Sequence, residues 1–259
     1  MRIIMVGAGN LATSLVPALS EAGHEVLCVY SRTMSAARQL ADRVGAQATD
    51  DCSKLPHEAD VCIISVKDAA LASLIPDITK GRQGMLFVHT AGSMPMALFD
   101  GYASRYGVMY PMQTFSKSRP LQFCDIPTFL EADNSDSLSM LHLLAESISD
   151  RVYELDSEKR RHLHLAAVFA CNFVNHCYAL SSEILADNGL PFDVMLPLID
   201  ETARKVHELH PVAAQTGPAV RYDQNVIQMQ LSLLSGRDNM KEVYSVLSRS
   251  IHDMHLKHG

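Results

Sequence analysis

The sequence predicts an α/β fold in which a mostly parallel sheet, covered by helices, is followed by an all-α half. Three observations carry this. Up to about residue 156, short β-branched runs alternate with helical stretches, the pattern of a parallel sheet buried on both faces. Beyond that point periodic helix replaces alternation, and almost no strand signal remains. The chain has 259 residues, 47% of them hydrophobic, which is enough for two cores rather than one. The expected division is residues 1–153 and 154–259.

In order, strands are expected at residues 2–6, 25–30, 61–66, 85–90, 106–110, 126–131 and 152–155, with a short one at 46–49. Helices fill the gaps at 11–22, 34–44, 69–75, 96–103 and 135–149. The second half reads as helices at 157–188, 191–209, 222–234 and 240–256. Their breaks fall where the chemistry wants them: Asn188-Gly189 as a C-cap, Pro191 near a helix start, Gly217-Pro218 in a loop and Ser235-Gly236 before the last helix.

A formal charge of −7 with no Lys/Arg block argues against nucleic acid as a partner. The six cysteines form no Cys-x-x-Cys pair and four lie in apolar runs, so they read as reduced core residues. The N-terminal apolar run is too short for a signal segment and already belongs to a strand, which predicts a cytoplasmic protein. The longest apolar stretch, residues 163–180, is interrupted by His164, Asn172, Asn175 and His176, so a buried helix is expected there rather than a membrane span. No metal is expected: the histidines at 252, 255 and 258 drift around the helix at a fraying chain end.

The strongest signal is Gly7-Ala8-Gly9-Asn10-Leu11-Ala12, directly after the first strand and directly before a helix. In that context it is the phosphate loop of a Rossmann-type domain. Gly7 permits the tight turn, Gly9 lets backbone approach a pyrophosphate, and Ala12 keeps helix close to strand. The helix N-terminus supplies amide donors and partial positive charge. The second strand ends Ser31-Arg32-Thr33, where an NAD-selective fold places an acid on the ribose hydroxyls. Arg32 instead offers a planar bidentate donor for a 2′-phosphate, flanked by two hydroxyls, which points to NADP; the alternative is a solvated surface arginine.

These motifs, with Ser65-Val66-Lys67-Asp68 ending a later strand, resemble Rossmann reductases whose N-terminal domain is like that of pyrroline-5-carboxylate reductase and of NADP-dependent deazaflavin oxidoreductases. More narrowly, His89-Thr90-Ala91-Gly92-Ser93, Pro111-Met112-Gln113-Thr114-Phe115-Ser116 and Thr216-Gly217-Pro218 resemble a Rossmann-like family with a C-terminal domain of unknown function. The resemblance spans nearly the whole chain. It implies an NADP-dependent oxidoreductase with a helical second domain and leaves the substrate open. The broader β-hydroxyacid dehydrogenases place a catalytic lysine four residues before an asparagine on the corresponding helix, where this chain has Val168.

Ligands of an open parallel sheet lie beyond the carboxyl ends of its strands. Ser65, Val66 and Lys67 are therefore expected beside the nicotinamide ribose, with His89, Thr90, Ala91 and Gly92 near the ring and Gln113, Thr114 and Ser116 along the next edge. His89 reads equally as a hydrogen-bonded strand end or a substrate contact. At 100° per residue, His164, Val168, Asn172, Asn175 and His176 share one face of the first C-terminal helix. That face meets either backbone and a second subunit or the substrate. In the second case Asn172 orients a carbonyl or imine, and His164 supplies a proton, since an unperturbed imidazole titrates near neutrality. Asp223 caps the following helix, and Arg221 pairs with it or reaches a ligand carboxylate.

The expected function is hydride transfer between NADP(H) and a small carbonyl, imine or related substrate between the domains, with His164, Asn172, His89 and Gln113 as catalytic candidates. A non-catalytic dinucleotide-binding redox sensor is the alternative, favoured somewhat by Val168. The apolar circumference of the first C-terminal helix predicts a homodimer through the C-terminal domain.

Overall fold

Aliphatic and β-branched runs form one eight-stranded sheet in the computed structural model, which describes residues 1–119 and 121–258. The strands are β1 (Arg2–Val6), β2 (Glu25–Tyr30), β3 (Gln47–Thr49), β4 (Val61–Ile64), β5 (Leu86–His89), β6 (Tyr106–Pro111), β7 (Thr128–Ala132) and β8 (Val152–Glu154). Their order is β3-β2-β1-β4-β5-β6-β7-β8, and every pairing is parallel except β6 with β7. The direction of winding reverses between β1 and β4, which places the ligand crevice of such a sheet at their carboxyl ends.

The central strands are buried on both faces, hence their unbroken apolar sequence. Alternate residues of β1 serve two cores. Ile3 and Met5 pack with Leu15 and Leu19 of α1 (Asn10–Glu21) and with Leu141 and Leu144 of α4 (Ser135–Glu146). Ile4 and Val6 pack with Leu71 and Ile75 of α3 (Asp68–Thr79). The expected helix at 34–44 is the shorter α2 (Met34–Ala41), and that at 96–103 is a 3-10 turn, Met96–Phe99.

Two arginines repair backbone groups that local sequence leaves open. Pro17 lies inside α1 and has no N–H for the carbonyl of Thr13, and Arg43 Nη1 donates to that oxygen at 2.9 Å. Arg82 is buried and donates to the carbonyls of Pro56, Ile78, Lys80, Cys52 and Leu55 at 2.8–3.2 Å. It thereby closes the C-terminal end of α3, where helix carbonyls favour a cation.

The expected single helix at 157–188 is three segments: α5 (Ser157–Ala167), a π-helix (Val168–Phe173) and α6 (Val174–Asp187). The i to i+5 winding turns less per residue than an α-helix, so residues beyond Val168 lag the 100° phase on which the polar face was drawn. The phase of Asn172, Asn175 and His176 relative to His164 therefore differs from the 100° per residue of the sequence reading. The expectation of a buried helix also fails within one chain. Among residues 157–187 only Arg160 and Leu185 are buried, and the segment is long and apolar enough to cross a membrane.

By compactness the chain divides into residues Met1–Cys171 and Asn172–Gly259, later than the sequence suggests, because α5 packs with the sheet. The second unit contains α6, α7 (Leu196–Glu208), α8 (Pro211–Ala214), α9 (Gln224–Leu233) and α10 (Asp238–His258). Asp223 caps α9 through Val226 N, and Arg237 pairs with Asp187; Arg221 has no ion pair among the described residues. Among the described residues the second unit's buried apolar side chains are four, Leu185, Ile227, Leu234 and Met240, while Leu198, Val206, Leu233 and Leu256 stand exposed. Cys171 and Cys177 are likewise exposed, contrary to the core reading, whereas Cys28 and Cys62 are buried.

Candidate active site

The turn after β1 is built for close backbone approach. Gly7 has φ +115, and a Cβ there would lie 2.0 Å from the carbonyl oxygen of Ser65, so no other residue fits between the β1 and β4 tips. Its N–H donates to Tyr30 O at 2.7 Å, and Ser65 N–H donates to Val6 O at 2.7 Å, locking the three strand tips together. At Gly9, the N-cap of α1, a Cβ would meet nothing within 4 Å: the space above the helix N-terminus is open. No side chain caps that end and no acid lies in its first turn, so its amides face outward unneutralised. Ala8 and Ala12 are buried, while Asn10 is exposed and Leu11 half-buried.

At the tip of β2, Ser31 is half-buried and Arg32 and Thr33 are exposed. Arg32 makes no hydrogen bond or ion pair among the described residues, and Thr33 caps α2 (Met34–Ala41) without using its hydroxyl. A free guanidinium and two hydroxyls thus stand on the ribose side of the glycine turn. These features fit a dinucleotide carrying a 2′-phosphate. At the tip of β4, Ser65 and Val66 are half-buried and Lys67 is exposed at the N-cap of α3.

The tips of β5 and β6 are organised by a buried ion pair that the sequence reading did not find. Arg160 of α5 is fully buried and pairs with Glu131 of β7. The Glu131 carboxylate also accepts from Ser157 N at 3.0 Å and Ser157 Oγ at 2.7 Å, and Arg160 Nη2 donates to Met94 O at 2.7 Å. Ser157 Oγ accepts from Met96 N at 3.0 Å. The loop after β5, strand β7 and the first turn of α5 are joined at one point. One turn beyond Arg160, His164 Nδ1 lies 3.1 Å from the hydroxyl of Tyr110 on β6. Tyr110 continues an aromatic row through Phe129 of β7 and Tyr153 of β8, which are cross-strand neighbours.

Of the sequence-derived catalytic candidates, His164 is half-buried at this cluster and Gln113 is exposed, its Oε1 accepting from Thr114 N at 2.8 Å. Thr90 is nearly buried and donates its N–H to Ile64 O. His89 is a correction: it has no exposed surface, its ring stacks on Phe99, and its Nδ1 accepts from Ala91 N at 3.2 Å. It fastens the strand end, and its Nε2 has no partner among the described residues. Asn172 is exposed and opens the second unit. His252 stacks on Tyr222 at 4.8 Å, and its Nδ1 lies 3.0 Å from Val220 O. Tyr110 and Arg160 were missed: the arginine four residues before His164 lies in the charged run Glu158-Lys159-Arg160-Arg161, where nothing marks one side chain as buried.

Fold and phosphate turn together define a Rossmann-type dinucleotide-binding protein. The comparisons carry this further. Residues 2–92 match the family described as NADP oxidoreductase coenzyme F420-dependent, and residues 126–251 match a domain of unknown function, DUF2520. A crystal structure from Bacteroides fragilis, described as an NADP oxidoreductase, is 52% identical, with 97% of this chain and 98% of that one covered and a TM-score of 0.94. The chain belongs to this family of NADP oxidoreductases with a helical C-terminal domain, and its cofactor class is NADP. The fold is shared with an imine reductase from Myxococcus stipitatus in complex with NADP+, at 17% identity, 100% and 95% coverage and TM-score 0.70. It is shared too with 1-pyrroline-5-carboxylate reductase from Streptococcus pyogenes, at 11% identity, 98% coverage of each chain and TM-score 0.63. None of the curated proteins compared matches this chain.

Burial, and secondarily the charge of Arg160, pushes the imidazole of His89 down to about 4. Between that value and the unfolded value near 6.5 the unfolded chain binds the extra proton, so stability is full above about pH 6.5 and falls as pH drops towards 4. The loss approaches about 3 kcal/mol. His24 is shifted in the same direction and His142 in the opposite one, so the slope is read as a difference from His89→Gln. Urea unfolding of both proteins from pH 4.5 to 7.5 is expected to show a flatter profile for the variant; parallel profiles would refute the assignment of a buried neutral imidazole.

Proposed function

We propose that the protein is an NADP(H)-dependent reductase that moves a hydride to or from a small carbonyl or imine, with the proton handled by His164. The observation that carries this reading is the juxtaposition within one unit of an open phosphate turn, an unpaired Arg32 at the β2 tip and a His164–Tyr110 pair at the β6 tip. When bound, the nicotinamide supplies the hydride. The chain supplies recognition and orientation. The amides at the start of α1 bind the pyrophosphate, Arg32 with Ser31 and Thr33 binds the 2′-phosphate, and Ser65, Val66, Lys67 and Thr90 line the path towards the ring. His164 holds a proton at the reacting heteroatom. Asn172 is assigned to orienting the substrate on its side-chain chemistry alone, as donor and acceptor together, and Gln113 to the exposed edge of the same site.

The test is binding and turnover together. NADPH is expected to bind at least tenfold more tightly than NADH by calorimetry, a difference of about 1.4 kcal/mol, and Arg32→Ala to remove most of the preference. Consumption of NADPH with some member of a panel of small ketones, aldehydes and cyclic imines is the accompanying result. Equal affinities for the two cofactors would sink the role of Arg32, and tight binding with no turnover across the panel would contradict a reductase.

We further propose a two-fold homodimer through the C-terminal half and a cytoplasmic location. Four buried apolar side chains cannot hold a unit of this size, and the exposed ones, Leu198, Val206, Leu233 and Leu256 among them, are supplied with cover by a second copy. Light scattering at micromolar concentration is expected to give about twice the 28.5 kDa chain mass, and a monomer there would contradict it.

A further inference from the structure

We infer that Tyr110 is a positioning residue that fixes the tautomer of His164, so that Nε2 carries the ring proton and presents it to the reacting group of the substrate. The geometry leaves little choice of arrangement. The Tyr110 hydroxyl lies 3.1 Å from His164 Nδ1, with the two rings edge to face, centroids 6.0 Å apart and planes at 73°. Both rings are seated on the backbone of Gly92. A Cβ added there would lie 2.7 Å from Nδ1, 2.9 Å from Cγ and 2.9 Å from Tyr110 Cζ, so the pair occupies the space that any other residue would fill. Behind them, the Arg160–Glu131 pair fixes α5 one turn earlier.

The bond between the two side chains can run in either direction, and the surroundings decide which. If His164 donated from Nδ1, the proton of the nearly buried Tyr110 hydroxyl would have no acceptor among the described residues, at a cost of about 1–3 kcal/mol. If Tyr110 donates, its proton is satisfied, Nδ1 is satisfied as acceptor, and the remaining proton sits on Nε2. Burial holds the phenol above its ordinary range, so it stays protonated and available as the donor. Nε2 has no hydrogen-bond partner among the described residues, which leaves that N–H for a ligand.

This names a chemical class of substrate and rests, in that respect, on the proposed reductase. A neutral imidazole donating through Nε2–H binds a hydrogen-bond acceptor: a carbonyl oxygen or the lone pair of a neutral imine. A preformed iminium ion has no lone pair to offer and gains nothing from this arrangement.

Long-range 1H–15N spectra of the full-length 15N-labelled protein at about pH 8, where an ordinary imidazole is neutral, test the inference. The chain has 12 histidines, and His164→Gln identifies the signals by their loss. The expected result is an unprotonated Nδ1 and a protonated Nε2 in the native protein, and averaging towards a tautomer mixture in Tyr110→Phe, which keeps the ring on Phe129. A protonated Nδ1 in the native protein overturns the proposal, as does an unchanged His164 spectrum in Tyr110→Phe. The native spectrum alone fixes the direction of the bond, whatever the variant's stability. The expected tautomer in a protein that reduces nothing in the panel keeps the positioning role of Tyr110 and discards the reductase instead.

Discussion

The site depends on one buried ion pair. Arg160 has lost its water entirely, and its guanidinium is held by Glu131 at Nη1 and by Ser157 Oγ and the carbonyl of Met94 at Nη2, while Nε has no partner among the described residues. Such pairs contribute little net stability against an apolar replacement, since desolvation consumes the Coulombic gain, yet removing one partner costs about 3–5 kcal/mol. Their use is geometric. Here the pair ties the loop after β5 and strand β7 to α5, and so determines where His164 meets Tyr110. Burial, and secondarily the same guanidinium, disfavours a proton on His89 at the end of β5.

Much of the dinucleotide half was legible because its determinants are local. Gly7 and Gly9 read as a turn and an approach from their place between an apolar run and a helix, and the structure gives each its reason: a carbonyl 2.0 Å from a missing Cβ, and open space above a helix start. Arg32 was legible as an exposed residue at a strand end. What failed was long-range or a matter of phase. Glu131 and Arg160 are 29 residues apart, and nothing in either neighbourhood announces the partner. The π-helix at Val168–Phe173 has no composition that distinguishes it from the α-helix around it, yet it changes the phase on which the polar face from His164 to His176 was drawn. His89 looked like a strand-tip contact because sequence cannot tell a side chain aimed at ligand from one turned back onto Phe99.

The two halves obey different physics. The sheet half closes its own cores, down to the carbonyls that Pro17 and the end of α3 leave open and that Arg43 and Arg82 fill. The helical half leaves Leu198, Val206, Leu233 and Leu256 exposed within one chain, and residues 157–187 have the length and composition of a membrane span. Asn172, Asn175 and His176 within that segment favour a protein interface, where polar side chains find partners that hydrocarbon does not offer.

A structure with NADPH bound tests the account most directly. The account predicts the 2′-phosphate within hydrogen-bonding distance of Arg32, the pyrophosphate on the amides at the start of α1, and nicotinamide C4 within about 5 Å of the space that His164 Nε2 faces, room for one reacting carbon and its heteroatom. A 2′-phosphate in solvent with Arg32 turned away, or a nicotinamide ring whose C4 faces neither His164 nor Tyr110, would contradict it.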